Sequence, residues 1–404
     1  MPNADPSHID LSVSTRGDGY EGFVVIDSLV DGRSAGGVRI SDQLSVDEVR
    51  ELAREMSLKF ALFHLPRGGA KAGLQLSPAL DAEGRHRALR DFGRRISPLV
   101  NGGLYYPGMD LNCGPEELRS IYRGAGIELG RITDTSFFTG LSIFHCLEAC
   151  AEALPADGQP LRLAVEGFGS VARHLAERLD SARYMITAVS TLEGAVLSES
   201  GFDPRDLARR KVAAGDAFVR ELEGRQVERA DVLVAEVDIL LPSSRTWVIS
   251  RELAGRMPVR AILPIANAPY AAGSLEILAA KKTLCLPGYM SNVGGVLASS
   301  LYDLGVTIPE IERLFASVYR SVVEDILRLA VRTGRPVTAI TGELVDLHRV
   351  GRRPRYARSL PARLHQRFLA RRLPKSWRAR QARREFLARM ASIRAEIARM
   401  GSDA

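Results

Sequence analysis

Leu161-Arg162-Leu163-Ala164-Val165-Glu166-Gly167-Phe168-Gly169-Ser170-Val171-Ala172 reads as a β-strand, a glycine turn and the opening of a helix. The spacing is Gly-x-Gly-x-x-Ala. Small residues at those positions permit a tight turn, let the backbone approach a pyrophosphate, and bring the helix close to the strand. The turn alone is a weak signal; its place between an apolar strand and an amphipathic helix makes dinucleotide binding the better reading. Gly167, Phe168, Gly169, Ser170 and Val171 are therefore candidate cofactor-binding residues.

Working outward, 171–179 continues as a helix and 185–190 is a second strand that ends near Gly194. Further strands are expected at 232–235, 238–241, 261–264 and 283–286, alternating with helices. That grammar predicts a parallel sheet covered on both faces. An acidic residue is expected about 20 positions after the turn to take the ribose hydroxyls. Thr191 occupies the aligned position. Glu193 is one substitute; Arg209, Arg210 or Lys211 are alternatives that would meet a 2′-phosphate. NAD is preferred over NADP.

Before residue 100, 22–28 alternates like a strand and 45–63 is one continuous helical period, opened by Ser45 and Glu48 as a capping box. After Gly294 the chain is helical again, with one pattern running through 308–333. From Ser376 on, Ala379, Ala382, Phe386, Met390, Ile393, Ile397 and Met400 recur at steps of three or four, a seam with arginines around it.

The chain has 404 residues, 46% of them hydrophobic, enough for two packed domains. No apolar run is long enough to span a bilayer and the first ten residues show no signal region, so a cytoplasmic protein without membrane attachment is expected. The net charge of +7 suggests nucleic acid until it is divided: 351–404 holds 16 basic and 3 acidic residues, a net +13, so the preceding 350 carry −6. The basic character belongs to the tail. Packing of that tail on its own protein or on a sister subunit is favoured over contact with a polyanion. Cys113, Cys146, Cys150 and Cys285 lack any paired metal-ligand spacing, and no metal site is expected.

Lys59 and Lys71 stand 12 residues apart, the first on the apolar face of the helix and the second among Gly68, Gly69 and Gly73 in what reads as a glycine-rich loop. An ammonium in an apolar setting needs an acidic partner or a ligand nearby. Partly desolvated, such an amine holds its proton less tightly, which suits a general base or a group that polarises a carbonyl.

At this point the sequence resembles the glutamate, leucine, phenylalanine and valine dehydrogenase family. The resemblance runs from about Gly22 to Val350 and is specific at five places in the family's order. They are Gly36-Gly37-Val38-Arg39; Lys59 with Pro66-x-Gly68-Gly69-Ala70-Lys71; Pro107-Gly108-Met109-Asp110; the turn at Gly167; and Asn267-Ala268-Pro269 followed by Asn292-Val293-Gly294-Gly295-Val296. The resemblance implies an N-terminal mixed-sheet α/β domain for substrate and dimerisation, at 1–150. It implies a Rossmann-like, doubly wound dinucleotide-binding domain at 151–305. Helices at 306–350 would return to the first domain, with the arginine-rich helical tail at 351–404.

By the same resemblance Lys59 grips the substrate α-carboxylate beside Gly36 and Gly37, Lys71 activates water, and Asp110 relays protons. Taken alone, Asp110 reads as an ordinary loop aspartate. Asn292 falls near nicotinamide and substrate, Ala266 and Asn267 in the cofactor loop, and Thr139 near the cofactor. The implied reaction is NAD(P)-dependent deamination of an L-amino acid to its 2-oxo acid and ammonia, and the reverse, by a homo-oligomer.

Glutamate-specific members carry a lysine before the paired glycines that holds the substrate's side-chain carboxylate; Ala35 stands there instead. Ser299 matches the serine that assists that lysine. Ala35 points to an apolar or aromatic substrate, with glutamate as the alternative. A third reading is a nucleotide- or polyanion-binding protein without turnover. Ala72, Pro264 and Asn112-Cys113 are further departures from the family pattern, and the tail is foreign to it.

Overall fold

The computed structural model describes residues 8–130, 132–155, 158–349 and 374–402. The polar start at 1–7 and the tail segment 351–373 lie outside the described residues. The chain divides into two compact units, one holding the described residues of 8–133 and 345–349, the other those of 134–344 and 374–402.

The first unit is built on a five-stranded mixed sheet of β1 (His8–Gly17), β2 (Tyr20–Ser28), β3 (Ser34–Ile40), β4 (Gly68–Leu76) and β5 (Tyr105–Met109). The order is β1-β2-β4-β3-β5, so β4 is the central strand. It runs antiparallel to β2 and parallel to β3. Side chains alternate between the two faces. Val24, Ile26, Val38, Ile40, Ala70, Ala72 and Leu74 point to the face covered by α2 (Ala82–Arg95), the short α3 (Ser97–Asn101) and α4 (Pro115–Gly124), against Leu89, Phe92 and Ile121. Val25 points to the other, against Val49 and Ala53 of α1 (Val46–Leu62).

Lys71 therefore lies in the central strand and not in a loop. Its glycine-rich surroundings misled the sequence reading because those glycines serve packing. A Cβ on Gly69 would sit 2.1 Å from the Ser57 nitrogen of α1, and one on Gly36 only 1.5 Å from the Ala70 carbonyl oxygen. The glycines let α1 and the neighbouring strand close onto β4. At the head of α1, Ser45 Oγ accepts from the Glu48 N–H, while the Glu48 carboxylate reaches Arg39.

In the second unit α5 (Ser136–Ala153) precedes β6 (Leu161–Glu166), α6 (Ser170–Ala176), β7 (Tyr184–Thr191), β8 (Gly194–Phe202), α7 (Pro204–Ala214), β9 (Arg225–Val227) and β10 (Ile239–Pro242). Then come α8 (Arg251–Arg256), β11 (Ala261–Ile262), α9 (Ser274–Ala280), β12 (Leu284–Cys285), α10 (Gly288–Ser291) and α11 (Gly294–Asp303). The sheet order is β12-β11-β10-β6-β7-β8-β9. Five strands are parallel, as expected, but β8 and β9 form an antiparallel edge. Thr191 pairs with Gly194, so only Leu192 and Glu193 connect β7 to β8. Two residues make a hairpin and leave no room for the crossover a parallel neighbour requires.

One other expectation is corrected. The stretch 232–235 is no strand: a capping box between Glu228 and Asp231 starts a 3₁₀ turn over Arg229–Val234, which buries Val232 and Leu233 all the same. The helical pattern at 308–333 holds without a break, as α12 (Ile308–Leu314), a π-turn at Phe315–Tyr319 and α13 (Arg320–Thr333).

The units divide at 133/134 rather than at 150, because α5 packs on α6, α11 and α13. The helices sent by sequence to the first domain stay in the second up to Leu344, inside α14 (Val337–Arg349). The tail helix α15 (Lys375–Ser402) buries every residue of its expected seam, with Phe386 stacked 6.0 Å from Phe315 and α13 alongside. Arg383 and Arg394 pair with Glu310 and Asp325. No helix among the described residues is long and apolar enough to cross a membrane.

Candidate functional site

The pleat of the first sheet assembles the lysine site. Ala35 pairs with Gly69 and Arg39 with Gly73, so Ala35, Gly37 and Arg39 of β3 share one face with Gly69, Lys71 and Gly73 of β4. That face is the one covered by α1, which supplies Lys59. Val38 pairs with Met109, the last residue of β5, and this register brings Asp110 alongside Arg39. Gly37 lies beneath, where a Cβ would meet the Asp110 Cβ at 2.7 Å. The Tyr105 hydroxyl donates to the Gly36 carbonyl at 3.1 Å and fixes the backbone there.

Around Asp110 the charges are tightly set. Lys71 Nζ and Arg39 Nε both lie 2.9 Å from Asp110 Oδ2, and Arg39 Nη1 donates to Glu48 Oε1 at 2.9 Å. Both cations thus meet the carboxylate at the same oxygen, Oδ2, and its side chain is 17% exposed. Burial disfavours its ionisation, but the Lys71 ammonium and the Arg39 guanidinium hold the Asp110 carboxyl far below the usual carboxylate range. Lys71, 2% exposed, is shifted down by burial, Arg39 adding to the effect and Asp110 opposing it. Burial also brings Lys59 down to about 8, against the pull of Glu55 and with a further push from the charge of Lys71. The two amines thus act on one another, and both give up a proton more readily than a free lysine.

Sequence reasoning expected Ala35, Gly36, Gly37, Lys59, Lys71 and Asp110 at one place, gave Arg39 no task, and gave Glu48 only that of a capping-box residue. The signal for Arg39 was present: a charged residue between Val38 and Ile40, both core-facing, must point to the opposite face of the strand. It also missed the clamp behind the lysines, in which Ser28 Oγ and Ser57 Oγ lie 2.6 Å apart and both accept from the Gly69 N–H.

In the second unit the strand order reverses between β6 and β10, and the glycine turn lies at the ends of those strands. Gly167 has φ +92 and its N–H donates to Ser190 Oγ. Gly169, the residue before α6, has open space where a Cβ would stand, as a close-approaching ligand needs. The Phe168 side chain is buried against Phe218, so only its backbone faces the turn; Ser170 and Val171 begin α6. Glu166 accepts from the Ser243 and Ser244 amides and bonds the Ser244 hydroxyl, tying β6 to the loop after β10.

Asn292 Nδ2 donates to the Ile265 and Ala266 carbonyls and to Asn267 Oδ1. Its own Oδ1 is buried and accepts nothing from the described residues. A buried acceptor without a donor carries a cost of roughly 1–3 kcal/mol, and a bound amide or amine would relieve it. The residues present therefore fit a nicotinamide dinucleotide. Thr139 Oγ1 and Ser299 Oγ donate to carbonyls of their own helices, α5 and α11. Thr191 Oγ1 donates to the Asp216 carbonyl and accepts from the Glu193 N–H, which leaves its hydroxyl proton engaged. Glu193 pairs with Arg220, Arg209 and Arg210 with Asp206, and Lys211 with Asp216. Among the described residues no group of His, Cys, Asp and Glu could hold a metal ion.

Comparison with known proteins follows the same two-part division. Residues 8–125 match the Glu/Leu/Phe/Val dehydrogenase dimerisation domain, and residues 130–305 match the Glutamate/Leucine/Phenylalanine/Valine dehydrogenase domain. The chain is 27% identical over 368 residues to the glutamate dehydrogenase of Thermotoga maritima, covering 83% of this chain and 86% of that protein. It is 28% identical over 283 residues to the NADP-specific glutamate dehydrogenase of Saccharolobus shibatae, covering 65% and 66%. Among solved structures, the hetero-hexameric glutamate dehydrogenase of Thermus thermophilus, in its leucine-bound form, superposes with a TM-score of 0.72 at 22% identity, covering 88% of this chain and 91% of that one. The L-tryptophan dehydrogenase of Nostoc punctiforme gives 0.57 at 20% identity, covering 85% and 95%. With both domains matched in order, this chain belongs to the Glu/Leu/Phe/Val dehydrogenase family of NAD(P)-dependent amino-acid oxidoreductases.

Proposed function

We propose that the protein deaminates an L-amino acid with an apolar or aromatic side chain to its 2-oxo acid and ammonia, and catalyses the reverse reductive amination. The observation that carries the substrate preference is Ala35: a buried methyl group, on the sheet face that bears Lys71, stands where glutamate-specific members place a cation. A side-chain carboxylate buried there without a partner would lose several kcal/mol. In this reading Lys59 holds the α-carboxylate beside Gly36 and Gly37. Neutral Lys71 takes the proton from the attacking water, and Asp110 Oδ1 receives and returns the proton of the amino group.

The backbone of residues 167–171 and the 266–267 loop hold the dinucleotide, with Thr139 and Thr191 beside it and Asn292 Oδ1 accepting from the carboxamide. When bound, the nicotinamide takes the hydride from the substrate Cα. NAD is preferred over NADP, since the basic side chains near Thr191 are already paired with Asp206 and Asp216. A homo-oligomer formed through the first unit accords with the dimerisation domain matched there. The seam of α15 is filled by its own unit, which accords with packing of the tail on its own protein; polyanion contact through the tail's arginines is the second reading of the tail.

Turnover of a panel of 2-oxo acids with ammonia and NADH or NADPH tests the assignment. Branched or aromatic 2-oxo acids are expected to give the highest kcat/KM; 2-oxoglutarate as best substrate would overturn the preference. Glutamate is kept as second reading because two relatives named above are glutamate dehydrogenases.

Lys59 makes a separate prediction. Its lowered pKa, about 8, means an ammonium below that pH and a neutral amine above it. The Ki of a competitive monocarboxylate should be flat below pH 8 and rise by up to about tenfold per pH unit above it. In Lys59→Met binding is weak throughout and that dependence is lost. A wild-type Ki that stays level to about pH 10 would remove Lys59 from the carboxylate site.

A further inference from the structure

We infer that Arg39 is a positioning residue of the reacting pair: anchored by Glu48, its guanidinium shares Asp110 Oδ2 with Lys71 and so decides which of the two holds the proton. The inference rests on the proposed roles of Lys71 and Asp110 and adds a third group that touches neither substrate nor cofactor.

The geometry gives the reason. A carboxylate facing one buried lysine is free to form a tight ion pair, which keeps the lysine charged and useless as a base. Here the oxygen that Lys71 approaches at 2.9 Å is also bonded by Arg39 Nε at 2.9 Å. The guanidinium does not release its proton at any ordinary pH, so Asp110 stays ionised whatever Lys71 does. Its negative charge is neutralised by a partner that never titrates, and Lys71 keeps only part of the attraction. Glu48, at 2.9 Å from Arg39 Nη1, holds the guanidinium in place and stands as a second, more distant negative charge toward Lys71.

Among the described residues, the other ionisable groups acting on this cluster are Lys59 and Glu55 from α1, Tyr105 from β5 with Tyr122 of α4 behind it, and the Cys113 thiol, which itself feels Glu117 of α4 and Arg85 of α2. Burial keeps Tyr105 and Cys113 protonated, Cys113 being pushed up to about 12. Lys59 is the neighbour that titrates near Lys71, and its charge does not depend on Arg39 directly.

The test measures Lys71 itself in the full-length protein. Trace labelling with acetic anhydride between about pH 6 and pH 11, read by mass spectrometry of the Lys71 peptide, gives the midpoint at which the amine becomes nucleophilic. In Arg39→Gln the midpoint should rise by about one unit or more, so that labelling on the acid side of the wild-type midpoint slows roughly tenfold. In Arg39→Lys, which restores the cation, the midpoint should stay near wild type. In Glu48→Gln it should fall, because a negative charge is removed while Arg39 remains.

Opposite displacements are not what a merely structural role produces. An unmoved midpoint in a folded Arg39→Gln overturns the inference. If that variant does not fold, an unmoved or raised midpoint in Glu48→Gln does so instead. The acid limb of kcat/KM for deamination should track the labelling midpoint. If labelling shifts while the limb stays, Arg39 sets the proton as inferred and it is Lys71 as the base that is wrong.

Discussion

Replacing Lys71 with Met is expected to lower kcat by about 10³-fold while leaving cofactor affinity within about twofold of wild type. The first figure follows from the usual contribution of a positioned acid or base, about 10²–10⁴. The second follows from where Lys71 sits: its recorded ion pair is with Asp110, in the first unit, whereas the glycine turn belongs to the second. Met keeps most of the buried stem's volume, and Asp110 retains Arg39, so no carboxylate is stranded without a partner. Turnover across pH 7–10 with cofactor titration by fluorescence separates the two effects. A kcat within about tenfold of wild type would show that the base lies elsewhere.

Gly69→Ala should be the most damaging single-methyl change in the first unit's site. Its Cβ would stand 2.1 Å from the Ser57 nitrogen, 2.4 Å from Ser57 Oγ and 2.5 Å from the Ala53 carbonyl oxygen. Two of these are helix backbone, so no side chain can swing aside; α1 must move outward. Overpacking of this kind costs about 3 kcal/mol or more. The movement also breaks the Ser28–Ser57–Gly69 hydroxyl clamp and carries Lys59 with it. With Lys59 in its proposed role, a displacement of about 1 Å costs about 10²-fold in kcat/KM. Thermal unfolding and steady-state kinetics read the two losses, and a variant with unchanged Tm would contradict the close packing of α1 on β4.

Much of this was legible in the sequence wherever one physical cause dominated. The strand, turn and helix around Gly167 were readable because periodicity and glycine spacing agree there. So was the seam of α15, where seven residues at helical steps all turned inward. Lys71 was misplaced into a loop because glycine density ordinarily marks a turn, and only the third dimension shows α1 bearing down on Gly69. The antiparallel edge at β8 went unseen because Gly194 looked like the end of a strand rather than the far side of a hairpin. The resemblance sent the helices beyond Ile308 to the first domain, whereas up to Leu344 they group with the second unit and only the end of α14 groups with the first; helical pattern states that a face is buried, not against what. Arg39 lay in a quoted motif, yet its task depended on the register between β3 and β5, which no linear spacing reveals.

Lys71 and Asp110 are mounted very differently. Lys71 hangs from the middle of the sheet, its strand held on both sides by β2 and β4's other neighbour, β3. Asp110 follows the last residue of the outermost strand, at a turn closed by its bridge to Cys113 and tied to β3 through the Ile40 N–H to Leu111 and the Asn112 amide to the Ile40 carbonyl. The amine is thus set by the centre of the sheet and the carboxylate by its rim. Any retuning of the gap between them, by natural drift or by design, has to be done at the corner formed by residues 109–113.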